Sequence, residues 1–341
     1  MRTNEGGGES GVALILVVLT FAVLAVMAGE FARAMREEAL SVANFKREGI
    51  AHYVAVAGVN EVLMLLHERR GKQRANSQDG GGEEEREFDP LDVLVQADGQ
   101  WLEARFDGSP YEVRVIDEGG RLSLNDTDRD VIEDILFNLG YSELEAETVA
   151  DSVEDWRDED DLHRPNGAED QYYESLPRPY RCKNGDFDSV AELLLVRGVS
   201  SDIYYGNSTV PGLRDLFSVF NGSKRLNLQT VGPAVMVALT GIDQEDALDL
   251  RDDRLGKGRA VPTDLRDLFS ETGVGTRLGV PQVVTIEARV KDERGRVLAQ
   301  LGTVVRMAPR GEGFRTLRWY DTIYGHEGFG DRIGSEDAVE G

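Results

Sequence analysis

One stretch near the N-terminus, Val12 to Ala28 (VALILVVLTFAVLAVMA), carries no charged residue. It lies at the lower limit of the roughly 17–25 residues that an apolar helix needs to cross a bilayer. No other run in the sequence is both as long and as apolar. The stretch therefore predicts at most one membrane crossing. It leaves three interpretations: a cleaved secretory signal peptide, a membrane anchor or a buried core helix.

The residues on either side of this stretch argue against an ordinary signal peptide. Such a peptide has basic residues before its apolar core and small residues at a cut after it. Here the small residues come first, in MRTNEGGGESG, where Arg2 is accompanied by Glu5 and Glu9. On the far side the sequence continues to Arg70 without a proline. We therefore predict one helix over residues 12–70, about 90 Å long at ~1.5 Å per residue.

The second half of this predicted helix is amphipathic. Its apolar side chains recur at intervals of three and four, which is the spacing of one helical face. They are Ala39, Val42, Phe45, Tyr53, Val56, Val59, Val62, Leu63 and Leu66. We expect the first half of the helix to face lipid and this face of the second half to be covered by packing.

Charge and cysteine content exclude several classes of function. The chain has 63 Asp and Glu against 38 Lys and Arg, a net charge of -25. Such a surface repels nucleic-acid phosphates, so nucleic acid is not expected as a partner. Cys182 is the one cysteine, which rules out an intrachain disulfide, and with four histidines it cannot build a zinc finger.

The rest of the chain indicates an antiparallel sheet interrupted by helices. Residues 71–90 are Gly-rich and charged, which is typical of a linker. Residues 91–124 and 280–320 contain short strand-type runs around turn signals such as DERGR. Residues 125–279 have helical patterns, and residues 321–341 form a Gly-rich tail. The predicted fold class is therefore α+β, a long N-terminal helix and an antiparallel sheet with a large helical domain inserted in it.

The inserted segment repeats itself in three matches that occur in the same order. RLSLND recurs as RLNLQT, LGYSELEA recurs as TGIDQEDA, and the apolar pattern of DSVAELLLVRGV recurs in TDLRDLFSETGV. The sequence therefore predicts a duplicated unit of the helix-hairpin-helix or SAM-like type, over residues 121–199 and 225–274. Gly140 and Gly241 suit the tight turn between the two helices of each copy.

A helix-hairpin-helix turn can present backbone N–H groups to a DNA phosphate. That function needs nearby Lys or Arg, and both turns are instead surrounded by acidic residues. These are Glu143, Glu145, Glu147, Asp243, Glu245, Asp246 and Asp249. The pattern favours structural packing. A membrane-tethered DNA-binding protein of a competence-like uptake system is the alternative function.

One segment, DSVEDWRDEDDLHRPNGAEDQYY (151–173), is dense in carboxylates. Ca²⁺ takes about 6–8 oxygen ligands and tolerates irregular geometry. The candidate calcium ligands are Asp155, Asp158, Asp160, Asp161, Glu169 and Asp170. A solvated acidic loop and a paired-carboxylate hydrolase are the other interpretations, and the spacing is not that of an EF-hand. The sequence has no phosphate loop, nucleophile elbow or metalloprotease helix, so no enzymatic activity is expected.

Several motifs together resemble one family. They are the small residue before VALILVVLTFAVLAVMA, GGRLSLND, DWRDEDD with RPNGAEDQYY, YRCKNGDFDSVAELLLVRGV and LNLQT. In this order, and over nearly the whole chain, they resemble the minor pseudopilin K of the type II secretion system, also called general secretion pathway protein K. The family is type IV pilin-like, which implies a pilin-like sheet.

The resemblance implies how the N-terminus is processed. Prepilin peptidase would cut residues 1–11 from the chain between Gly11 and Val12, and Val12 would become N-methylated. The helix would remain as a membrane anchor and then as the stem of a filament. Most pilin-like proteins have a Glu five residues after the cut, whereas this chain has Leu16. Pseudopilin K lacks that Glu, which implies a place at the filament tip.

The resemblance also implies partners, a location and a cofactor. The partners would be the minor pseudopilins I, J and H, the major pseudopilin G, prepilin peptidase and the inner-membrane assembly platform. The protein would cross the inner membrane once, with its large C-terminal domain in the periplasm. Its function would be to initiate the pseudopilus and help export folded proteins across the outer membrane. Calcium is associated with the inserted helical domain of the family.

Overall fold

The computed structural model describes residues 9–78, 99–256, 261–308 and 313–321. Nine strands are described: β1 Leu102–Phe106, β2 Ser109–Asp117, β3 Leu122–Ser123, β4 Phe217–Ser218, β5 Leu226–Asn227, β6 Thr276–Arg277, β7 Val283–Lys291, β8 Val297–Met307 and β9 Phe314–Tyr320. Nine α-helices are described: α1 Glu9–Gln78, α2 Arg129–Asn138, α3 Glu143–Arg157, α4 Asp170–Glu174, α5 Ser201–Tyr205, α6 Leu213–Leu216, α7 Pro233–Thr240, α8 Gln244–Gly256 and α9 Thr263–Ser270. The predicted α+β class is confirmed.

The first helix, α1, is 70 residues long and spans about 100 Å. It continues through residues 71–78, which the sequence assigns to a linker. That segment, GKQRANSQ, has no proline and is rich in residues with good helix propensity, so nothing in it ends the helix. The rest of the predicted linker, residues 79–90, lies outside the described residues, as do residues 1–8 of the predicted leader.

Five strands form an antiparallel sheet in the order β1-β2-β7-β8-β9. Strands β2 and β7 are neighbours, with Val115 opposite Ile286, although residues 118–282 separate them in the chain. That long segment leaves the sheet after Asp117 and returns at Val283. The predicted insertion of a helical domain into the sheet is therefore confirmed. The tail beyond Asp321 lies outside the described residues.

Helix α1 packs on one face of this sheet. Its residues from Ala51 to Leu66 share a core with alternate residues of β2, β7 and β8, including Val115 and Ile286. Gly58 allows the closest approach, because a Cβ there would lie 2.5 Å from the ring of Tyr111. The Tyr111 hydroxyl also donates a hydrogen bond to Glu61 at 2.7 Å. Sheet and helix thus form one folding unit.

The predicted amphipathic face of α1 is buried only in part. Val59, Val62, Leu63 and Leu66 are buried, as predicted, and Val56 is half-buried. Ala39, Val42, Phe45 and Tyr53 are exposed, so the described part of this chain does not cover them. The cause is geometric. The sheet reaches α1 only from about Ala51 onward, and the helix before it projects away from the folded domain.

The inserted domain has its own apolar core, separate from the core beneath α1. The core residues come from most of its helices and include Ile135, Val149, Trp156, Leu216 and Phe269. Trp156 makes an edge contact with Tyr173, with 5.3 Å between ring centroids. The domain therefore has the interior of an independent α-helical unit.

The two predicted repeats adopt the same local structure. In each, a two-residue strand precedes a helical hairpin and then pairs with a later strand in parallel: β3 with β4, and β5 with β6. The hairpin turns contain Gly140 and Gly241, whose φ angles of 89° and 68° favour glycine. The third match differs in helix type, since Val190–Leu195 is a 3₁₀ helix where the second copy has α9.

One hexapeptide, LRDLFS, occurs twice and folds in two ways. At 213–218 it forms α6 and then β4, whereas at 265–270 it lies within α9. Phe217 and Ser218 become a strand because they pair with Leu122 and Ser123 of β3. Tertiary pairing therefore overrides local helix propensity at these two positions.

Asp117 joins the sheet to the second repeat. Its buried carboxylate accepts hydrogen bonds from Thr230 Oγ1 at 2.7 Å, Asn227 Nδ2 at 2.8 Å and the Gly119 N–H at 2.9 Å. The pKa of Asp117 is raised because it is buried, and these donors oppose that shift. A second buried acid, Glu118, accepts hydrogen bonds from the hydroxyls of Ser218 and Thr285.

We expect Asp117→Ala to destabilise the junction by about 2–4 kcal/mol, because buried donors on Thr230 and Asn227 lose their acceptor. Chemical denaturation monitored by circular dichroism measures the loss. Glu103→Ala, at an exposed position of edge strand β1, is the control and should change stability by less than about 0.5 kcal/mol. Equal effects of the two substitutions would contradict the role given to Asp117.

Candidate functional site

The N-terminal half of α1 exposes an unbroken apolar surface. From Leu14 to Met27 its large side chains are each about half or more exposed, and no part of the most apolar window is buried. Within the described residues, α1 is the one helix long and apolar enough to cross a membrane. So much apolar surface requires a bilayer or partner helices around it.

The predicted processing site lies near the start of this helix. The backbone of Gly11 and Val12 is helical, close to the first residue of α1, Glu9. Leu16 is 64% exposed, and its carbonyl accepts a hydrogen bond from Thr20 Oγ1 at 2.7 Å. The cut between Gly11 and Val12, and the methylation of Val12, stay predictions.

A second candidate site is the acidic loop between α3 and α4. Asp155, in the last turn of α3, is fully buried and accepts hydrogen bonds from the Arg164 N–H at 3.1 and 3.2 Å. The Arg164 guanidinium lies 3.3 Å from the same carboxylate. Gly167 allows the loop to close over it, because a Cβ there would lie 1.8 Å from Asp155 Oδ2. Asp155 therefore anchors the loop.

Glu169 is the anomalous residue of this loop. It is only 5% exposed, and neither of its carboxylate oxygens accepts a hydrogen bond of good geometry, although the nearby Cys182 thiol acts to lower its pKa. Burial raises the pKa of Glu169 to about 7, and repulsion by Asp155 and Asp158 adds to the shift. Asp158 Oδ1 is likewise buried without a partner, and the pKa of Asp158 is also raised, mainly by burial. The Arg164 guanidinium lies 3.3 Å from both Asp155 and Asp158, but no ion pair to Glu169 is found among the described residues.

The other candidate ligands have partners within the chain. Asp160 accepts a hydrogen bond from the Leu162 N–H at 2.7 Å, and Asp170 accepts one from the Cys182 N–H at 2.8 Å. Asp161 accepts a hydrogen bond from Asn184 Nδ2 at 3.1 Å, and its charge acts on Glu169. The structure thus groups Asp155, Asp158 and Asp161 around Glu169, while Asp160 and Asp170 bind backbone donors.

Two residues of this site were not predicted from the sequence. The side-chain oxygen of Asn184 is buried without a partner, and its backbone has a left-handed φ of 47°. The Cys182 thiol lies 3.6 Å from the Asp155 carbonyl, and burial beside Glu169 raises its pKa to about 12. The Asn-Gly pair in YRCKNGDFD is a turn signal, but nothing in the sequence places it beside Glu169.

The oxygen atoms at this site are of the chemical type that binds a hard cation. Unpartnered oxygens of Glu169, Asp158 and Asn184 are the type of ligand that Ca²⁺ prefers. A cavity of about 470 Å³, lined by Asp161, Glu169 and Asp170, adjoins them. Among the residues described, no three His, Cys, Asp or Glu side chains already have the arrangement of a metal site. The oxygens would therefore have to close around an ion.

Comparison with known proteins identifies a family that this chain resembles. Residues 113–206 match the family model described as type II secretion system (T2SS), protein K. A type II secretion system protein K from Pseudomonas aeruginosa is 29% identical over 328 residues, which cover 86% of this chain and 92% of that protein. The chain is therefore similar to type II secretion system protein K over most of its length. The predicted resemblance is confirmed, and the chain is a minor pseudopilin of protein secretion.

Other members of the protein K family are also similar. The protein from Aeromonas hydrophila is 32% identical over 184 residues, which cover 50% of this chain and 53% of that protein. A crystal structure of the GspK-GspI-GspJ complex from enterotoxigenic Escherichia coli matches with a TM-score of 0.47 and 15% identity, over 69% of this chain and 91% of that chain. Type II secretion pseudopilin K is a structural component of secretion, and this chain is similar to it.

Proposed function

We propose that this protein is the tip subunit of the secretion pseudopilus, that it initiates pilus assembly, and that it does so without enzymatic activity. In this role it helps export folded proteins from the periplasm across the outer membrane. The observation that carries the proposal is the exposed apolar half of α1, which has Leu16 where most pilin-like proteins have a Glu.

Leu16 supports the tip position by an energetic argument. An unpaired carboxylate within hydrocarbon costs several kcal/mol, on the order of 2.5–3.5 at a helix centre. In a filament such a Glu pairs with the N-terminal amine of a neighbouring subunit, and a tip subunit has no subunit ahead of it to neutralise. Leucine at this position avoids that cost. The inserted domain, bulky at one end of α1, would block addition of a subunit beyond it.

The exposed side chains of α1 also suggest its partners. Phe31, Met35, Val42 and Phe45 follow the membrane stretch and are at least half exposed. Helices of the minor pseudopilins I, J and H and of the major pseudopilin G would cover them. Prepilin peptidase and the assembly platform would act on the protein in the inner membrane, with residues 99–321 in the periplasm.

We also propose that a structural calcium ion binds at the acidic loop. Glu169 and Asp158 would hold it, with Asn184 and Asp161 close by and Asp155 fixing the loop. When bound, calcium supplies positive charge that neutralises carboxylates which otherwise repel one another. The ion would connect the loop after α3 to the Cys182–Asn184 segment, and so rigidify one end of the inserted domain.

Mass spectrometry of the mature N-terminus tests the pilin-like processing on which this function depends. In cells that contain prepilin peptidase, we expect a chain that begins at N-methylated Val12. Gly11→Val should leave the chain uncut, because the peptidase requires a small residue before the cut, whereas Gly8→Val should be processed normally. A mature chain that begins at Met1, or one cut beyond Ala28, would be incompatible with the proposal.

A further inference from the structure

The outer edge of the sheet at β9 is open. Among the described strands, β9 pairs only with β8, so its second edge presents unpaired backbone N–H and C=O groups. Proteins usually protect such an edge, since it can pair with an added strand. The sequence of β9, FRTLRWY, contains no acidic residue and no proline. It is thus an open edge whose protection is limited to two arginines and one register irregularity in its pairing with β8.

The two faces of β9 differ in chemistry. Arg315 lies opposite Arg306, and Arg318 lies opposite Val304, which places three arginines on the face turned away from α1. Phe314, opposite the core residue Met307, and Trp319 lie on the other face, and each is 39% exposed. The edge therefore alternates basic and aromatic side chains.

The arginines of this face have no acidic partner within salt-bridge distance in the part of the chain that the structure describes. Arg306 and Arg315 are directly opposed like charges, an arrangement that destabilises a sheet unless an anion compensates it. Asp188 has an electrostatic effect on Arg318, but it is itself paired with Lys183 at 2.7 Å. In a protein with a net charge of -25, this basic cluster is an exception.

A cleft continues from the basic face of β9. It has a volume of about 340 Å³ and lies between the sheet and the inserted domain, with Arg121, Arg318 and Tyr320 among its lining residues. The acids in its wall have partners: Glu287 is bound to Arg114 at 2.9 Å, Asp215 lies 3.8 Å from Arg214, and Glu118 accepts from two hydroxyls. Arg318 and Tyr320 belong to both β9 and the cleft, so edge and cleft form one continuous surface.

We propose that the open edge of β9 binds an extended segment of a partner protein in which acidic and apolar residues alternate. The partner backbone pairs with β9, its acidic side chains face Arg315 and Arg318, and its apolar side chains cover Phe314 and Trp319. One carboxylate enters the cleft beside Arg318. A second copy of this chain is disfavoured, because pairing two β9 edges would place arginines beside arginines.

The test uses the full chain in detergent and a short synthetic peptide that alternates Glu with Val or Thr. Fluorescence anisotropy measures binding, and hydrogen exchange measures protection of backbone amides. We expect this peptide to bind and to slow exchange at residues 314–320. A peptide with Lys in place of each Glu should not bind, and a shuffled peptide of equal composition should bind more weakly and protect no amides of β9.

Arg315→Gln with Arg318→Gln should weaken binding about tenfold, from the loss of two partly exposed charge pairs. The matched control is Arg105→Gln with Arg294→Gln, which changes the net charge equally at the opposite edge and at an exposed turn, and should leave binding unchanged. Hydrogen exchange of the free variants shows whether the sheet stays folded. If they fold differently, Arg315→Lys with Arg318→Lys should retain binding.

Three results would overturn the proposal. Equal binding and protection with the shuffled peptide would reduce the effect to unspecific charge attraction. Binding seen only after the chain is shortened to end at Asp321 would show that its own C-terminal residues occupy the edge. Self-association that is abolished by the double arginine variant would make a second copy the occupant. None of these outcomes affects the test of the mature N-terminus, so the two proposals fail separately.

Discussion

Replacing Glu169 by Gln is expected to abolish stabilisation by calcium and, at the same time, to make the calcium-free protein more stable. Glu169 is buried and accepts no hydrogen bond of good geometry, and Asp155, Asp158 and Asp161 repel its charge. A neutral amide of the same shape removes that repulsion. It also removes the strongest attraction for a cation. The substitution thus abolishes the stabilisation by calcium and raises stability without calcium. An ordinary buried residue would not show both effects, so together they identify an ion site.

The dependence of folding stability on pH follows from the raised pKa of Glu169. Its value is about 7, against 4.5 for an ordinary glutamate, so the folded protein holds this proton more tightly than the unfolded chain. Without calcium, stability from this group is present below about pH 4.5 and is lost as the pH rises to about 7. Above that the buried carboxylate costs on the order of 3 kcal/mol. Calcium at about 100 times its dissociation constant would offset most of this with ~2.7 kcal/mol.

Thermal unfolding of the full chain in detergent, with EDTA or with excess calcium, measures both effects at pH 8. The wild type should melt higher with calcium. Glu169→Gln should melt at one temperature in both conditions, above the wild type in EDTA. Glu159→Gln, at an exposed position of the same loop, should behave as the wild type does. An equal calcium shift in the wild type and Glu169→Gln would reject Glu169 as a ligand.

The acidic loop shows how far sequence reasoning reaches at a site. Carboxylate density selected the segment that contains Glu169, because hard cations require many oxygens. It could not separate Glu169, which accepts no hydrogen bond of good geometry, from Asp170, which accepts the Cys182 N–H. Nor could it bring in Asn184, which lies beside the loop through hydrogen bonds to Asp160 and Asp161. Which oxygens stay unpartnered is decided by tertiary contacts.

The sheet and its insertion were predictable for a different reason. Alternating strand patterns and turn signals survive in the local sequence, so the strands at each end of the inserted domain could be found. The pairing of β2 with β7 follows once both are assigned to one antiparallel sheet. The two conformations of LRDLFS were not predictable, since one hexapeptide cannot specify that Phe217 pairs with Leu122. The open edge at β9 likewise depends on strand order.

Helix α1 shows the clearest difference between the prediction from sequence and the structure. Its apolar periodicity runs evenly from Ala39 to Leu66, and the sequence alone treats all of it as one packing face. The structure divides it, because only the part from Ala51 onward meets the sheet. The periodicity of apolar residues predicts that one face of a helix will be covered. It does not predict whether the same chain, a partner or a membrane covers that face. In this protein the sheet covers one part, and the exposed remainder needs a membrane or other helices.

A chain that begins at Gly71 is expected not to fold its sheet, whereas a chain that begins at Lys46 should fold and stay soluble. The shorter chain loses Val54, Val59, Val62, Leu63 and Leu66 from the core beneath the sheet. Each such side chain contributes about 1.5–3 kcal/mol when buried. Their sum approaches or exceeds the roughly 5–15 kcal/mol by which folded domains are stable. The strands would be left with one bare apolar face.

Limited proteolysis and circular dichroism of the two fragments test this expectation. The fragment from Lys46 should resist protease and unfold cooperatively, while in the fragment from Gly71 the segments of β7 and β8 should be cut rapidly. The inserted domain has a separate core, so its helices should survive in both. Within the longer fragment, Val59→Asp should destabilise the sheet by more than about 3 kcal/mol, because it buries an unpaired charge. Met64→Asp, on the same helix but 65% exposed, should have little effect. If the fragment from Gly71 melted at the temperature of the longer one, α1 would have to be a stem attached to a sheet that folds without it.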